Sequence, residues 1–533
     1  MDGVVEVRGG RIRGVERHGV WTFSGVPYAA SPAGEARWRP PAPAVPWTGI
    51  RECDRFGPVA PQANGGLEAM LGAEPATDSE DCLSLNVWTP GLDTGRRPVM
   101  VWIHGGSFTG GSGSGGFYRG GLLAREHDVV VVTVNYRLGL LGFLGHPALA
   151  EPGQTWLDGM PWEGWANWGV ADQVAALAWV RDHIAGFGGD PGNVTVFGES
   201  AGAMCVSALL AVPAATGLFH RAVAQSGPPF TASASWAIER AERFAAHLGV
   251  PCTRHGLGSV PARHLVAAVT ELERSADAGG LLLMPVVDGG LLDRTPLDAV
   301  ADGSVADVPL LVGTTRDEWT LFALGDPGLS SLDEDGLRRR VRRITPDADG
   351  ADGMIAAVRD ARAARGESTG PGDLLTAITT EFVFRVGTVR LADAHAAAAG
   401  PGVGTYSYLF TWESPIFGGV LGSCHALEIP FVFGAVRIPA VQTFTGGGDG
   451  ALELSSAMAS SWASFARDGV PELDLPGEGP VPWPQWDRLR RPTTVLGPWP
   501  GSDGVLHRVD DPRKEELDAV GSVAGPRPGH HGR

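Results

Sequence analysis

The sequence predicts an α/β fold with a large central, mostly parallel sheet flanked by helices. Short uninterrupted apolar runs, typical of strands buried on both faces, alternate along the chain with segments of helical period. A length of 533 residues suggests three or four domains at roughly 150 residues each, but no linker or internal repeat divides the chain. We therefore expect one domain over residues 1–509 and a flexible tail over 510–533, where apolar periodicity is lost.

Four apolar runs predict strands of this sheet, and a helical segment lies between two of them. Pro98–Ile103 is continuously apolar, and Asp128–Asn135 is rich in β-branched residues. Apolar residues then recur at helical spacing over Val170–Ile184. Asn193–Phe197 and Val308–Val312 are the third and fourth runs. A parallel sheet of this kind grows by adding strands, so a single domain can use the whole chain.

The composition excludes several classes of protein and partner. With 43% hydrophobic and 19% charged residues, the chain is globular rather than disordered or a coiled coil. The net charge is 42 − 60 = −18, which repels phosphate backbones and argues against a nucleic-acid partner. No apolar run is long enough to span a membrane, and the N-terminus lacks the features of a signal peptide. Few, unevenly spread cysteines favour a reducing, cytoplasmic location; they are Cys53, Cys82, Cys205, Cys252 and Cys424.

A strand, a tight turn and a helix predict a nucleophilic serine. Gly198-Glu-Ser-Ala-Gly202 matches the Gly-x-Ser-x-Gly pattern, follows a strand and precedes small helix formers over Ala201–Leu210. Gly366-Glu-Ser-Thr-Gly370 matches the same pattern but has no strand before it. We therefore expect Ser200 to be the nucleophile, with a helix N-cap as the alternative role, and Ser368 to be an exposed loop residue.

A serine nucleophile needs a base and an acid that orients the base, in the chain order serine, acid, histidine. Asp317 and Glu318 follow the fourth strand, and either carboxylate could hold an imidazole. His425 lies in a loop before an apolar run and is the favoured base, whereas His395 is expected on a surface helix. His507 is not excluded by pattern. The remaining downstream histidines, His530 and His531, lie in the tail.

A glycine-rich loop after the first predicted strand is a candidate for binding the oxyanion. His104-Gly-Gly-Ser-Phe108 occupies the place of the oxyanion loop of such hydrolases. We expect the backbone N–H groups of Gly106, Ser107 and Ala201 to face the developing negative charge. The alternative is a simple glycine turn at the end of a strand.

The chain resembles the type B carboxylesterase family, which includes para-nitrobenzyl esterase-like enzymes, cholinesterases and the adhesion protein neuroligin. The motifs that carry the resemblance are Phe23-Ser-Gly-Val-Pro-Tyr-Ala29, Ser79-Glu-Asp-Cys-Leu-Ser-Leu-Asn-Val87, Asn135-Tyr-Arg-Leu-Gly139, Phe187-Gly-Gly-Asp-Pro-Gly-Asn-Val-Thr-Val-Phe-Gly-Glu-Ser-Ala-Gly202, Gln225-Ser-Gly227, Asp317-Glu318, His425-Ala-Leu-Glu428 and Trp462-Ala-Ser-Phe-Ala-Arg467. The resemblance implies an α/β-hydrolase fold and assigns the acid to Glu318 rather than Asp317. It also implies supporting roles for Glu199, Ser226 and Glu428, although pattern alone makes Glu199 a solvated acid.

The chain departs from the family pattern at several positions. Ser107 replaces the third glycine of the oxyanion loop but keeps its N–H group. Cys82 matches a half-cystine of secreted relatives, yet no cysteine lies at 56–62, so we expect a free thiol. The loop before Ser79 lacks the tryptophan with which cholinesterases bind a quaternary ammonium, which argues against choline esters. The segment 145–167 is long and contains three tryptophans; it either lines the mouth of the pocket or forms a packed surface flap.

We expect a serine carboxylic-ester hydrolase that acts through an acyl-enzyme on small to medium or aromatic esters. No metal or organic cofactor is implied, and the expected assembly is a monomer or homodimer. The alternatives are a specialised amidase, carbamate hydrolase or toxin-ester hydrolase, and a non-catalytic interaction protein of the neuroligin kind. Proteins of that last kind lose the serine, whereas Ser200, Glu318 and His425 are all present here.

Replacing each serine of the two similar motifs distinguishes them. We expect Ser200→Ala to abolish hydrolysis of p-nitrophenyl esters, because no other hydroxyl can form the acyl-enzyme. Ser368→Ala should leave the rate unchanged, since an exposed loop serine contributes nothing to the reaction. The release of p-nitrophenol measures both rates, and retained activity in Ser200→Ala would rule out this assignment.

Overall fold

A computed structural model of the chain describes residues 3–63, 77–274, 280–345, 350–475 and 479–524. Its centre is a sheet of eleven strands. In chain order these are β1 (Val15–Arg17), β2 (Val20–Pro27), β3 (Ser84–Thr89), β4 (Arg97–Ile103), β5 (Val130–Val134), β6 (Gly189–Glu199), β7 (Arg221–Gln225), β8 (Leu310–Thr315), β9 (Thr405–Phe410), β10 (Pro492–Leu496) and β11 (Leu506–Asp510).

The spatial order of the sheet is β11-β10-β9-β8-β7-β6-β4-β5-β3-β2-β1. All neighbouring pairs from β10 to β5 are parallel, and the pairs outside that block are antiparallel. The predicted mostly parallel sheet is thereby confirmed. Three smaller sheets are formed by Val4–Val7, Gly10–Arg13 and Ile50–Glu52, by Thr155–Trp156 and Met160–Pro161, and by Glu472–Leu475 and Gly479–Pro482.

Helices cover both faces of the sheet, which explains the uninterrupted apolar runs of its central strands. In β4, Val99, Val101 and Ile103 belong to the core on one face, while Met100 and Trp102 belong to the core on the other. Side chains alternate between the faces of a strand, so a strand covered on both faces must be apolar at every position. The sequence pattern of this region therefore reports burial directly.

Most of the elements that cover the sheet are α-helices. The helices predicted over 170–184 and 201–210 are both confirmed. None of the described helices combines the length and apolarity needed to cross a membrane. The α-helices are Gly121–His127, Gly139–Phe143, Trp168–His183, Ala201–Leu209, Ala234–His247, Arg254–Gly258, Ala262–Glu273, Pro296–Ala301, Trp319–Ala323, Glu334–Ile344, Gly350–Ala364, Pro371–Thr380, Val386–Ala398, Ile429–Val432, Pro439–Thr445, Asp449–Asp468 and Lys514–Val523; Glu381–Arg385 is a π-helix.

The C-terminal segment differs from the expected tail. β11 ends at Asp510, and the helix Lys514–Val523 then packs Leu517 and Val520 into a third apolar cluster with the helix Gly350–Ala364. The apolar positions of so short a helix are too few to stand out as a periodic pattern. Residues 525–533, with His530 and His531, lie outside the described residues, and the single domain over 1–509 stays a prediction.

The tryptophan-rich segment is packed against the body of the protein. Trp156 and Trp162 are buried in the main core, where Trp162 lies 5.1 Å from Trp156 and 5.3 Å from Trp168 between ring centres. Asn167 exchanges two hydrogen bonds with the backbone of Val286. These contacts favour the packed flap over the lining of a pocket. Most of the loop before Ser79 lies outside the described residues.

All five cysteines are free thiols, including Cys82, for which a free thiol was expected. Cys82 is fully buried, and burial raises the pKa of its thiol well above the ordinary value. A buried neutral thiol is a weak nucleophile, so Cys82 is a packing residue.

The sheet topology gathers the predicted site residues at one edge. Ser200 follows β6, Glu318 follows β8, and His425 lies in the connection after β9. The glycine-rich loop follows β4, which is the neighbour of β6. The carboxyl ends of parallel strands meet at the same edge, which is where α/β proteins bind ligands.

Candidate active site

Ser200 occupies a strained turn between β6 and the helix Ala201–Leu209. Its φ and ψ are 56° and −127°, a conformation that is costly for a residue with a side chain. A Cβ on Gly198 would lie 2.7 Å from the carbonyl oxygen of Ile103, and one on Gly202 would lie 2.1 Å from the same atom. Both flanking residues must therefore be glycine for β4 and β6 to approach this closely.

Ser368 lies in a different environment, as predicted. It is exposed in the loop between the helices Gly350–Ala364 and Pro371–Thr380, and its hydroxyl donates a hydrogen bond to Asp373. No strand leads into this loop. The second Gly-x-Ser-x-Gly motif therefore lacks the strand and turn that present a nucleophile.

His425 and Glu318 form a buried pair at the end of β8. Nδ1 of His425 lies 2.6 Å from Oε2 of Glu318, and the other carboxylate oxygen accepts a 2.7 Å hydrogen bond from the N–H of Thr315. Both side chains are almost inaccessible to solvent. The carboxylate thus holds Nδ1 as the protonated nitrogen and directs Nε2 away from itself.

Nε2 of His425 points toward the end of β6. It lies 3.1 Å from Oε1 of Glu199, the residue before Ser200, but without the angular alignment of a hydrogen bond. Within the described residues Nε2 has no hydrogen-bond partner. An unpaired acceptor nitrogen beside the serine turn can take a proton from an incoming group.

Asp317 has a different task from its neighbour Glu318. Its carboxylate accepts a 2.9 Å hydrogen bond from the N–H of Ser423, and its own N–H donates one of 2.9 Å to the carbonyl oxygen of Ser423. Thr320 also binds the carbonyl oxygen of Leu421 at 2.6 Å. These bonds join the two loops that carry the acid and the histidine. Pattern alone could not separate the two carboxylates, because their roles depend on this distant loop.

The glycine-rich loop lies directly beside Ser200. A Cβ on Gly105 would come within 3.0 Å of the Cβ of Ser200, and Gly106 has a φ of 114° that favours glycine. Ser107 also has a positive φ, of 54°. Within the described residues the N–H groups of Gly106, Ser107 and Ala201 donate to no backbone or side-chain acceptor. The loop therefore presents free donors next to the serine.

A cluster of buried polar groups lies behind His425. Glu199, Ser226, Tyr408 and Glu428 each have an oxygen with no hydrogen-bond partner among the described residues. Burial raises the pKa of Glu428 to about 8, and the charges of Glu199 and Glu318 add to that shift. The pKa of Glu199 is raised in the same way by burial and by Glu318. Both shifts favour the protonated form of these carboxyl groups, because burial and like charges disfavour the ionised form.

Aromatic rings that sequence reasoning missed surround His425. The ring centres of Phe384 and Phe322 lie 4.9 Å and 5.0 Å from that of His425. Trp319 lies 4.9 Å from Phe322, which remains 39% exposed. No short motif in the sequence marks these residues.

Of the other histidines that follow Glu318, the structure describes His395 and His507. His395 is buried, and the expectation of a surface position was wrong. Its Nδ1 lies 2.7 Å from Oγ1 of Thr405, and its Nε2 lies 2.9 Å from the carbonyl oxygen of Val308. Both nitrogens are used, and the alanine-rich pattern around His395 gave no indication of them. His507 lies on β11, opposite Val495 at the edge of the sheet.

Comparisons with known proteins agree with this architecture. The sequence profile of the carboxylesterase family matches residues 1–497. The para-nitrobenzyl esterase of Bacillus subtilis (strain 168) is 34% identical over 523 residues, which cover 96% of this chain and 97% of that one. The phenmedipham hydrolase of Pseudarthrobacter oxydans is 34% identical over 483 residues, which cover 88% of this chain and 91% of that one.

A solved structure extends the similarity to the fold. The carboxylesterase of Geobacillus stearothermophilus superposes with a TM-score of 0.81 at 38% identity, covering 97% of this chain and 100% of that chain. The large mixed sheet with flanking helices is the shared feature. The chain belongs to the carboxylesterase family and is a carboxylic-ester hydrolase with the α/β-hydrolase fold.

Proposed function

We propose that Ser200, His425 and Glu318 form the catalytic triad of this esterase, with the N–H groups of Gly106, Ser107 and Ala201 as its oxyanion hole. The observation that carries the proposal is the position of His425. Nδ1 is bound to a buried carboxylate at 2.6 Å, while Nε2 is unpaired beside the turn that holds the serine. This is the arrangement that a general base requires.

The proposed reaction has two steps. Nε2 of His425 takes the proton of Ser200 as its oxygen attacks the ester carbonyl, and the oxyanion accepts hydrogen bonds from the glycine-rich loop. The imidazolium returns that proton to the alcohol, which leaves as the C–O bond breaks. His425 then deprotonates a water molecule as the water oxygen attacks the acyl carbon. The imidazolium returns this proton to the oxygen of Ser200 as the acyl C–O bond breaks and the carboxylic acid leaves. Glu318 stabilises the imidazolium in both steps.

Glu199, Ser226 and Glu428 are proposed as supporting residues. Glu199 stands next to Nε2 of His425, and burial and the charge of Glu318 raise its pKa, which favours the neutral carboxyl there. The unpaired oxygens of Ser226 and Glu428 can hold buried water, which keeps the carboxyl groups oriented.

We further propose aromatic or small to medium esters as substrates of a monomeric or homodimeric cytoplasmic enzyme. The support for aromatic substrates is the exposed face of Phe322 next to His425. The support for a reducing compartment is the set of five unpaired cysteines. The similarity to a phenmedipham hydrolase keeps a specialised hydrolase as the second candidate.

The base can be tested with two matched histidines. We expect His425→Gln to lower kcat for p-nitrophenyl acetate by about 1,000-fold or more, because the variant lacks the imidazole that takes the proton of Ser200. The same variant should lose labelling by a fluorophosphonate. His507→Gln removes the edge-strand histidine and should retain both properties. Equal activity in the two variants would contradict the proposed triad.

The aromatic subsite can be tested with Phe322→Ala. Loss of one stacking ring should raise KM for phenyl and benzyl esters by about fivefold relative to ethyl esters, which corresponds to about 1 kcal/mol. Leu489→Ala removes a fully exposed apolar side chain elsewhere and is the control. Initial rates on esters with the ring on the acyl or the alcohol side would show which group the subsite holds. Unchanged KM values across the set would exclude the subsite.

The protonation of Glu428 predicts a pH dependence of stability. The pKa of Glu428 in the folded protein is about 8, which lies above its value in the unfolded chain. The contribution of Glu428 to the free energy of unfolding is therefore lost as the pH rises from the unfolded to the folded pKa. Glu428→Gln should reduce the fall in free energy of unfolding between pH 5 and 8.5 by an amount on the order of a few kcal/mol. Urea unfolding at both pH values measures this. Glu453→Gln removes an exposed carboxyl and should show the same fall in the free energy of unfolding with pH as the parent. An unchanged fall in Glu428→Gln would refute the raised pKa of Glu428.

A further inference from the structure

The segment after β11 reaches the histidine side of the active site through a chain of contacts. The family profile ends at residue 497, so this segment lies outside the matched part of the chain. Its helix Lys514–Val523 carries Glu516, which is 1% exposed, and is preceded by Arg513, which is 7% exposed. Charged side chains are buried this deeply only when they are paired.

Arg513 is the centre of a buried ionic network. Its guanidinium binds both carboxylate oxygens of Glu516, at 2.6 Å and 3.0 Å, and both oxygens of Glu367, at 3.0 Å and 3.2 Å. Arg365 adds a third hydrogen bond to Glu516 at 2.7 Å. The network therefore ties the C-terminal helix to the end of the helix Gly350–Ala364.

The same network contacts the π-helix Glu381–Arg385. Arg385 donates a hydrogen bond to the carbonyl oxygen of Pro512, and Arg513 lies close enough to Glu381 for their charges to interact. Glu381 and Arg385 are themselves buried and form an ion pair with each other. A π-helix is a rare widening of the helical turn that recurs at functional sites. The C-terminal segment contacts this π-helix on the side that faces away from the active site.

The front of the π-helix faces the active site. Phe384 lies within it, and its ring centre is 4.9 Å from that of His425. Thr380, the residue before the π-helix, accepts a 3.0 Å hydrogen bond from the N–H of Trp319, the neighbour of Glu318. One short element thus contacts the histidine and the loop of the acid.

We infer that the C-terminal segment 511–524 positions the imidazole of His425 through the π-helix and Phe384, with Arg513 as the positioning residue. The inference rests on the proposed role of His425 as the general base. A displaced ring would reach the serine less often in the productive geometry, which lowers kcat and leaves substrate binding intact.

The test compares Arg513→Met with Lys514→Met in the full chain. Lys514 begins the same helix but is exposed, and it pairs with Asp518 and Asp511 rather than with Glu516 or Glu367. We expect Arg513→Met to lower kcat for p-nitrophenyl acetate, and the rate of fluorophosphonate labelling, by about tenfold well below its Tm, with KM changed less than about twofold. Lys514→Met should match the parent. A lower Tm with unchanged kcat would show a purely structural role and overturn the inference.

A double-variant cycle tests the route of the effect. If Arg513 acts through Phe384, the losses in kcat from Arg513→Met and Phe384→Leu should not add in the double variant. Fully additive losses would overturn the route. Should Arg513→Met fail to fold, Glu516→Gln, which keeps the guanidinium, is measured against the same criteria. His425→Gln is included as a reference. Full activity of His425→Gln would contradict the proposed general base. Loss of activity in His425→Gln with full activity in Arg513→Met, or in Glu516→Gln if that replaces it, would contradict the positioning role alone.

Discussion

The 2.6 Å contact between Glu318 and His425 is the interaction on which the rest of the site depends. It joins two loops that are 107 residues apart, and neither side chain has access to bulk water that could replace its partner. Removing one member of such a pair leaves a buried polar group unsatisfied, which costs about 3–5 kcal/mol. The surrounding bonds of Thr315 and Asp317 hold the two loops in the position that this contact requires.

The charge of Glu318 also affects the pKa of two neighbouring carboxyl groups. Glu199 and Glu428 lie in the same buried pocket, and the charge of Glu318 adds to burial in raising the pKa of both. Burial and repulsion between like charges thus both favour the neutral form of these two carboxyl groups. Nδ1 of His425 is bound to Glu318, whereas Nε2 has no hydrogen-bond partner among the described residues.

Sequence reasoning worked where the determining interactions are local. Ser200 and Ser368 could be separated because the strand, turn and helix around Ser200 lie within a few residues of it. Sequence reasoning worked less well where residues from distant segments determine the role of a side chain. Nothing local distinguishes Asp317 from Glu318, since the distinction is made by the loop at 421–425, and the resemblance supplied it. His395 resembled a surface residue because its partners belong to other elements of the fold: Thr405 lies in β9 and Val308 lies just before β8.

The sequence by itself determined the fold class, four of the strands of the parallel block and the tight turn that holds Ser200. Strands that are buried on both faces are apolar at consecutive positions, and segments where two backbones approach closely require glycine. Both requirements are visible in the sequence itself. Only the tertiary structure decided the buried carboxyl cluster, the aromatic rings around His425 and the packing of the C-terminal helix. These depend on which distant side chains share one pocket, and the physical effects involved, desolvation and ion pairing, have no period along the chain. Arg513 is the clearest case, because its partners Glu367 and Glu381 lie more than a hundred residues before it.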